Sequence, residues 1–292
     1  MEIDLAKTST FMTTHARLVD RRRFDLITGR GDSGGLHSAL AGYRNPDGGF
    51  GWGLEPDLRS PESQPAGALH AFEVFEEIGP ETSETAERLC DWLASVTLPD
   101  GGLPFALPVT DPTGSAPWWV QSDPAHSSLH LTAAITAIAH QVARHDSAVR
   151  EHEWLARATD YCWAQVTKLD RPRSTYEFRY VLWFLDAVID VRPGADAEHR
   201  RLGKFIPESG TLAVEGGIEG EALHPLDFSP LPGRPLRGLL PPETITTDLA
   251  RLAALQQDDG GWIVDFTSRS VAGALEWRGY ATVSAVKILL AD

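Results

Sequence analysis

The sequence predicts an all-α protein built from stacked helix hairpins, and three observations carry that expectation. Apolar residues recur at three- and four-residue spacings along most of the chain, while period-two alternation of β-branched residues is almost absent. An Asp-Gly-Gly core occurs three times, at Asp47-Gly48-Gly49, Asp100-Gly101-Gly102 and Asp259-Gly260-Gly261, each time between two helix-patterned runs. The starts of these cores lie 53 and 159 residues apart, the second spacing three times the first. A fixed period in this range marks a repeat architecture, whose unit is too small to bury its own apolar face and stacks on its neighbours. About five or six hairpins of this kind fill residues 1–292 as a single domain.

In chain order, residues 6–28 read as one helix. Arg21-Arg22-Arg23 near its end forms a solvated basic face that suits the helix C-terminal dipole. Gly29 to Gly35 is a turn before the first Asp-Gly-Gly loop. Ser60-Pro61-Glu62-Ser63 has the hydroxyl caps and proline of a helix start. Ala68, Leu69, Phe72 and Phe75 share a face of that helix, and Gly79-Pro80 stops it. Ala86, Leu89, Cys90 and Leu93 pattern the next helix, which runs into the second loop. A proline-rich stretch leads to Asp123-Pro124, from which a helix of small residues continues to about Arg144. Helices follow over 149–167, 174–190 and 196–206. The irregular segment 207–242 is long enough to read as a lid or cover. Helix 243–257 enters the third loop and helix 277–290 ends the chain. In each loop the aspartate supplies a capping carboxylate, and the two glycines supply positions free to take positive φ. The aromatic or leucine after them plugs the gap between hairpins.

Charge narrows the partners. With 41 acidic against 26 basic residues the chain carries a formal charge of −15, which argues against a nucleic acid. Cys90 and Cys162 sit in helix-patterned runs and read as buried thiols of a reducing compartment. No basic-then-apolar leader opens the sequence, and no apolar run approaches the length of a membrane span, so a cytoplasmic protein without an integral membrane segment is expected. The sequence leaves the oligomeric state open.

Gln257-Asp258-Asp259-Gly260-Gly261-Trp262 resembles the QW repeat of squalene–hopene-type terpene cyclases. Asp47-Gly48-Gly49-Phe50-Gly51-Trp52-Gly53, with SQPAGALHAF soon after, is similar to the repeat of protein prenyltransferase β-subunits. The resemblance touches three loops and the helix after each. It implies an α/α toroid with inner and outer helix rings, and a small hydrophobic, isoprenoid ligand. The Asp-x-Asp-Asp acid of the cyclases is absent, and neither cysteine stands where the prenyltransferase zinc ligand would. No cofactor and no metal are expected.

In a toroid the helix after each loop lines the cavity, and several such helix starts are rich in aromatic and polar residues. Asp123, His126 and His130 stand at i, i+3 and i+7, which on a helix is one face. That face suits a proton donor tuned by burial and imidazole neighbours, with Asp123 as the acid. The same three residue types are acceptable zinc or iron ligands, and the remaining reading is a cap with core histidines. Trp118 and Trp119 precede them. Tyr176, Tyr180 and Trp183 form an aromatic stripe with Arg179 beside it, and Trp277, Arg278 and Tyr280 repeat the theme on the last helix. Aromatic faces stabilise passing carbocations, and the arginines suit a diphosphate or carboxylate. Aromatic core with snorkelling arginines is the structural alternative. Glu62, Gln64 and His70, and His224 with Asp227 in the irregular segment, are secondary candidates. The expected function is acid-initiated carbocation chemistry in an aromatic cavity. A non-catalytic binding toroid or a carbohydrate-active toroid with paired carboxylates are the alternatives.

Overall fold

The computed structural model describes residues 3–292, and among them the protein is all-α. The helices are α1 (Leu5–His15), α2 (Leu18–Ile27), α3 (Ser33–Ala41), α4 (Pro65–Ile78), α5 (Glu84–Val96), α6 (Pro117–Val120) and α7 (Leu129–Val142). They continue as α8 (Ser147–Glu151), α9 (Glu153–Val166), α10 (Thr175–Val188), α11 (Ala195–Gly203), α12 (Pro225–Phe228), α13 (Pro242–Ala254) and α14 (Val271–Ala291). A two-residue antiparallel pair, Leu212–Ala213 with Ala222–Leu223, is the strand content. No helix among the described residues is long and apolar enough to cross a membrane.

The chain divides into two compact units. One spans Leu40–Leu202; the other takes both ends of the chain, up to Ala39 and from Gly203 onward. In the Leu40–Leu202 unit α7 packs against α4, α10 and α9, and α9 packs on α5. Phe72 of α4 stacks on Trp154 of α9 with ring centroids 6.1 Å apart, over a core that includes Leu89, Leu93, Ile135 and Phe184. Burying side chains of this size contributes about 1.5–3 kcal/mol each. In the other unit α14 packs on α1 and α2, and Phe11, Met12, Phe24, Trp262, Val283 and Val286 form one apolar cluster.

The three Asp-Gly-Gly loops share one hydrogen-bond pattern. Asn45, Leu98 and Gln257 each donate their N–H to the carbonyl of the second glycine, over 2.9, 2.9 and 2.8 Å. The same three residues each accept the N–H of the first glycine, over 3.1, 2.9 and 2.8 Å. The first glycines, Gly48, Gly101 and Gly260, lie at φ +93°, +93° and +91°, where a Cβ would be strained. Of the two glycines in each loop, the first alone takes positive φ. The second glycines answer to a different demand. A Cβ on Gly49 would come within 2.6 Å of Trp92, one on Gly102 within 2.7 Å of Tyr161, and one on Gly261 within 2.9 Å of Phe11. The expectation of two positive-φ positions is thus corrected: the second glycine lets an aromatic ring of a neighbouring helix approach the backbone.

That ring comes from α5 in the first loop and α9 in the second, but from α1, at the other end of the chain, in the third. The helix α14 that follows the last loop is therefore backed by the N-terminal helix. Below each ring, one turn earlier, the backbone at Arg88, Arg157 or Lys7 abuts the first glycine. In the second and third loops the N–H of the residue after the glycines is also treated alike: Leu103 donates to Thr132 Oγ1 and Trp262 to Thr282 Oγ1, both over 2.9 Å.

Several sequence boundaries are corrected. The expected helix 6–28 breaks at Ala16 and Arg17, whose ψ values of 154° and 155° are extended. Nor is its arginine cluster a uniform solvated face: Arg23 is buried beside Asp20, which is also paired with Arg17 at 2.8 Å, while Arg22 stays outside. The expected helix 149–167 breaks at His152, which caps α9 by accepting the N–H of Trp154 at 3.1 Å. The small-residue helix starts at Leu129, not at Asp123, because Ser128 caps it. The helix expected from Ser60 starts at Pro65. Segment 207–242 carries the strand pair, α12 and a 3-10 turn at Pro235–Leu239. The last helix starts at Val271, capped by Ser270, and its 21 residues exceed the 14 of α4, α7 and α10.

Candidate functional site

Within the Leu40–Leu202 unit, the helices α4, α7 and α10 bring polar and aromatic side chains together. Ser128 and Ser174 cap α7 and α10 in the same way, each accepting an N–H three residues on. His130 and Tyr176 are thus both second residues of their helices, and their rings face each other with centroids 6.3 Å apart. Tyr180, one turn further along α10, stands 5.0 Å from His130. Phe105, from the stretch after the second loop, meets the edge of His130 at 5.5 Å and stacks on Trp119 at 4.4 Å.

Arg179 packs against the rings of α10. Its guanidinium carbon is 4.3 Å from the Tyr180 ring centroid, 5.1 Å from Trp183 and 5.7 Å from Tyr176, and Nη2 donates to the Tyr180 hydroxyl. The stripe read from the sequence is real, and a protein cation already uses its π faces. His130 responds to this environment. Burial, and then the Arg179 charge, push its pKa down to about 3, so the imidazole is neutral. Among the described residues the His130 ring makes ring contacts and no hydrogen bond.

A second group sits on α4. His70 Nε2 is 2.9 Å from Glu55 Oε2, and Nδ1 is 2.9 Å from Glu73 Oε2, with all three side chains largely buried. Glu55 Oε1 also accepts the Asp57 N–H at 3.0 Å. Burial alone would lower the His70 pKa. The Glu73 charge and the two carboxylate hydrogen bonds outweigh it and raise the value to about 9, so His70 is an imidazolium clamped between two carboxylates. The helix that carries this clamp, α4, packs on α7, as does α10 with its rings.

The structure separates Asp123 and His126 from His130. Both lie on an exposed turn before α7, with side chains 61% and 81% exposed. Asp123 accepts the Ala125 N–H at 2.9 Å and pairs with His126 Nδ1 at 2.8 Å. Those bonds hold its carboxyl below the ordinary aspartate range, the reverse of what a proton donor needs. The single helical face is therefore a correction: helical phase ends at Ser128, and Asp123 cannot be counted from it. Trp118 is 44% exposed and Trp119 is buried under Phe105.

In the other unit Arg278 is a latch. Nη2 contacts both Asp259 carboxylate oxygens, at 2.8 and 2.9 Å, and the guanidinium lies 4.5 Å from the Phe11 ring centroid. Trp277 meets Phe266 and Tyr280 edge-on at 5.1 and 5.4 Å, and Arg23 lies over the Tyr280 ring at 5.1 Å. Among the secondary candidates, Gln64 exchanges two hydrogen bonds with the Leu107 backbone, Glu62 bonds Ser60, and Asp227 accepts the His224 N–H as a helix cap. Cys90 and Cys162 are buried free thiols, and burial pushes both pKa values up. Among the described residues no cluster of His, Cys, Asp and Glu could hold a metal ion.

Sequence reasoning missed Glu55, Glu73 and Phe105. Glu73 had a signal, since it stands three residues after His70, on the same helix face. Glu55 and Phe105 arrive from irregular segments and had none. No protein-family model matches this chain, and no curated protein is significantly similar to it.

Proposed function

We propose that this chain is an α/α toroid of the terpene-cyclase and prenyltransferase kind that holds a small, largely apolar, isoprenoid-type ligand against α4, α7 and α10. The hydrogen-bond geometry shared by the three Asp-Gly-Gly loops supports the repeat on which that reading rests.

Binding is favoured over acid-initiated cyclisation, and one observation carries that preference: the aromatic faces of Tyr176, Tyr180 and Trp183 already stack on Arg179. A carbocation placed there would meet a fixed positive charge at close range, which at low dielectric costs several kcal/mol. The proton donor is missing as well, because Asp123 is exposed and ionised. The carbohydrate reading needs two carboxylates flanking open space, whereas the gap between Glu55 and Glu73 is filled by His70.

A thermal-shift titration with farnesol, geranylgeraniol and squalene, alongside gluco-oligosaccharides, tests the proposal. A ligand that binds only the native state raises Tm with its concentration. A rise with an isoprenoid is expected. A rise with a sugar alone, or turnover of an isoprenoid to a cyclic product, would overturn the binding reading.

A further inference from the structure

We infer that His130 is the polar anchor of this ligand face, donating an imidazole N–H to a singly charged carboxylate at the head of an otherwise apolar ligand. The inference rests on the ligand-binding reading and adds the chemistry of the head group.

His130 is held by rings on three sides: Phe105 at 5.5 Å, Tyr176 at 6.3 Å and Tyr180 at 5.0 Å. These contacts fix the imidazole plane, yet its nitrogens make no hydrogen bond to a described residue. His130 is half-buried and its unbonded nitrogens are not enclosed by the fold, so they can meet a partner from outside it. The core histidine His140, by contrast, is bonded to Thr159 Oγ1 at 2.8 Å. A ring that is positioned but unbonded is arranged to bond something else.

The sign of that group follows from the charges around it. Arg179 acts electrostatically on His130 and makes the local potential positive. A cation is disfavoured there, and an oxygen that accepts hydrogen bonds is favoured. The magnitude of its charge follows too. His70 with Glu55 and Glu73 sums to one negative charge, and Arg179 adds one positive, so the cluster is neutral. A diphosphate, with several negative charges, would lie beside two carboxylates with too little compensation. A monoanion suits the site.

Three probes with one tail separate the possibilities: farnesoic acid, farnesol and farnesyl diphosphate, titrated calorimetrically into the full-length protein. The acid is expected to bind about tenfold more tightly than the alcohol, the usual gain from one charge-assisted hydrogen bond, and more tightly than the diphosphate. His130→Phe, which keeps a ring in place but no N–H, should remove the advantage of the acid over farnesol. His130→Gln, which keeps an N–H donor, should restore part of it. The 15N resonances of the His130 ring should move with the acid and not with the alcohol. Equal binding of acid and alcohol, tightest binding of the diphosphate, or an acid preference that survives in His130→Phe would overturn the inference while leaving the isoprenoid reading intact. Failure of all three probes to bind would remove that reading, and the inference with it.

Discussion

At the scale of single residues, the His70 clamp has the largest expected effect. It places one imidazolium between two mostly buried carboxylates, so removing the ring leaves those charges facing each other without compensation. His70→Ala is expected to destabilise the protein by about 3–5 kcal/mol in a urea titration, the range for breaking a buried pair. His70→Ala with Glu55→Gln and Glu73→Gln should recover a substantial part of that loss, which a simple packing defect would not. The loop glycines make a different demand. Gly102→Ala would drive a Cβ to 2.5 Å from Ser127 Cβ and 2.7 Å from the Tyr161 ring, and a loss of about 1–3 kcal/mol is expected. Thr132→Val is a finer test, since the buried Leu103 N–H would lose its acceptor at a cost of about 1–3 kcal/mol.

At the scale of elements, the loop and the two helices it joins form the working unit. The aspartate binds the second glycine's N–H in all three loops, over 2.9, 3.1 and 3.1 Å. In the first two it also accepts the hydroxyl of Ser63 or Ser127, and in the third it holds Arg278. The third unit is completed by α1, so Phe11→Ala should behave as a core truncation. A loss of about 3–5 kcal/mol is expected despite its place in the first helix of the chain, where fraying usually blunts such effects. A loss below about 1 kcal/mol would mean that α1 does not back α14 in solution.

Much of this level was legible in the sequence. Apolar periodicity is a local signal, and it located α4, α5, α10 and α13 to within a few residues. The breaks at Arg17 and His152 were not legible, because apolar periodicity carries no mark of them: Arg17 pairs locally with Asp20, which folding buries, and His152 reaches the distant Asp91 at 3.2 Å. The same limit applied to the site. The ring stripe of α10 could be counted from residue spacing, and so could His130. The phase linking His130 to Asp123 could not, since the cap at Ser128 interrupts it. Arg179 beside the stripe was visible, but its stacking over three rings is a tertiary fact, and it reverses what the stripe suits chemically.

At the scale of the whole molecule, the two histidine environments set a pH window. The folded-state pKa of His70 lies near 9, above the ordinary value of about 6.5. The stability it contributes is complete below about pH 6.5 and is lost as pH rises through about 9. His130 near 3 and His140 near 4 are depressed, mainly by burial. The unfolded chain binds those protons first, so stability falls as pH drops below about 6.5. Stability from these groups is therefore expected to be greatest near pH 6.5, where neither loss has set in. His130→Phe should flatten the acid limb and leave the alkaline limb in place, which melting curves taken across pH would report.

The central claim is that the rings and charges of α4, α7 and α10 form the ligand face. A benzophenone-bearing farnesyl analogue, photo-crosslinked to the full-length protein and mapped by peptide mass spectrometry, tests it most directly. The expected result is labelling confined to the peptides that carry Phe105, His130 and Tyr176 to Trp183, suppressed by excess unlabelled ligand. Labelling that falls on the 207–242 segment or the exposed start of α14, or that excess ligand fails to suppress, would contradict the claim.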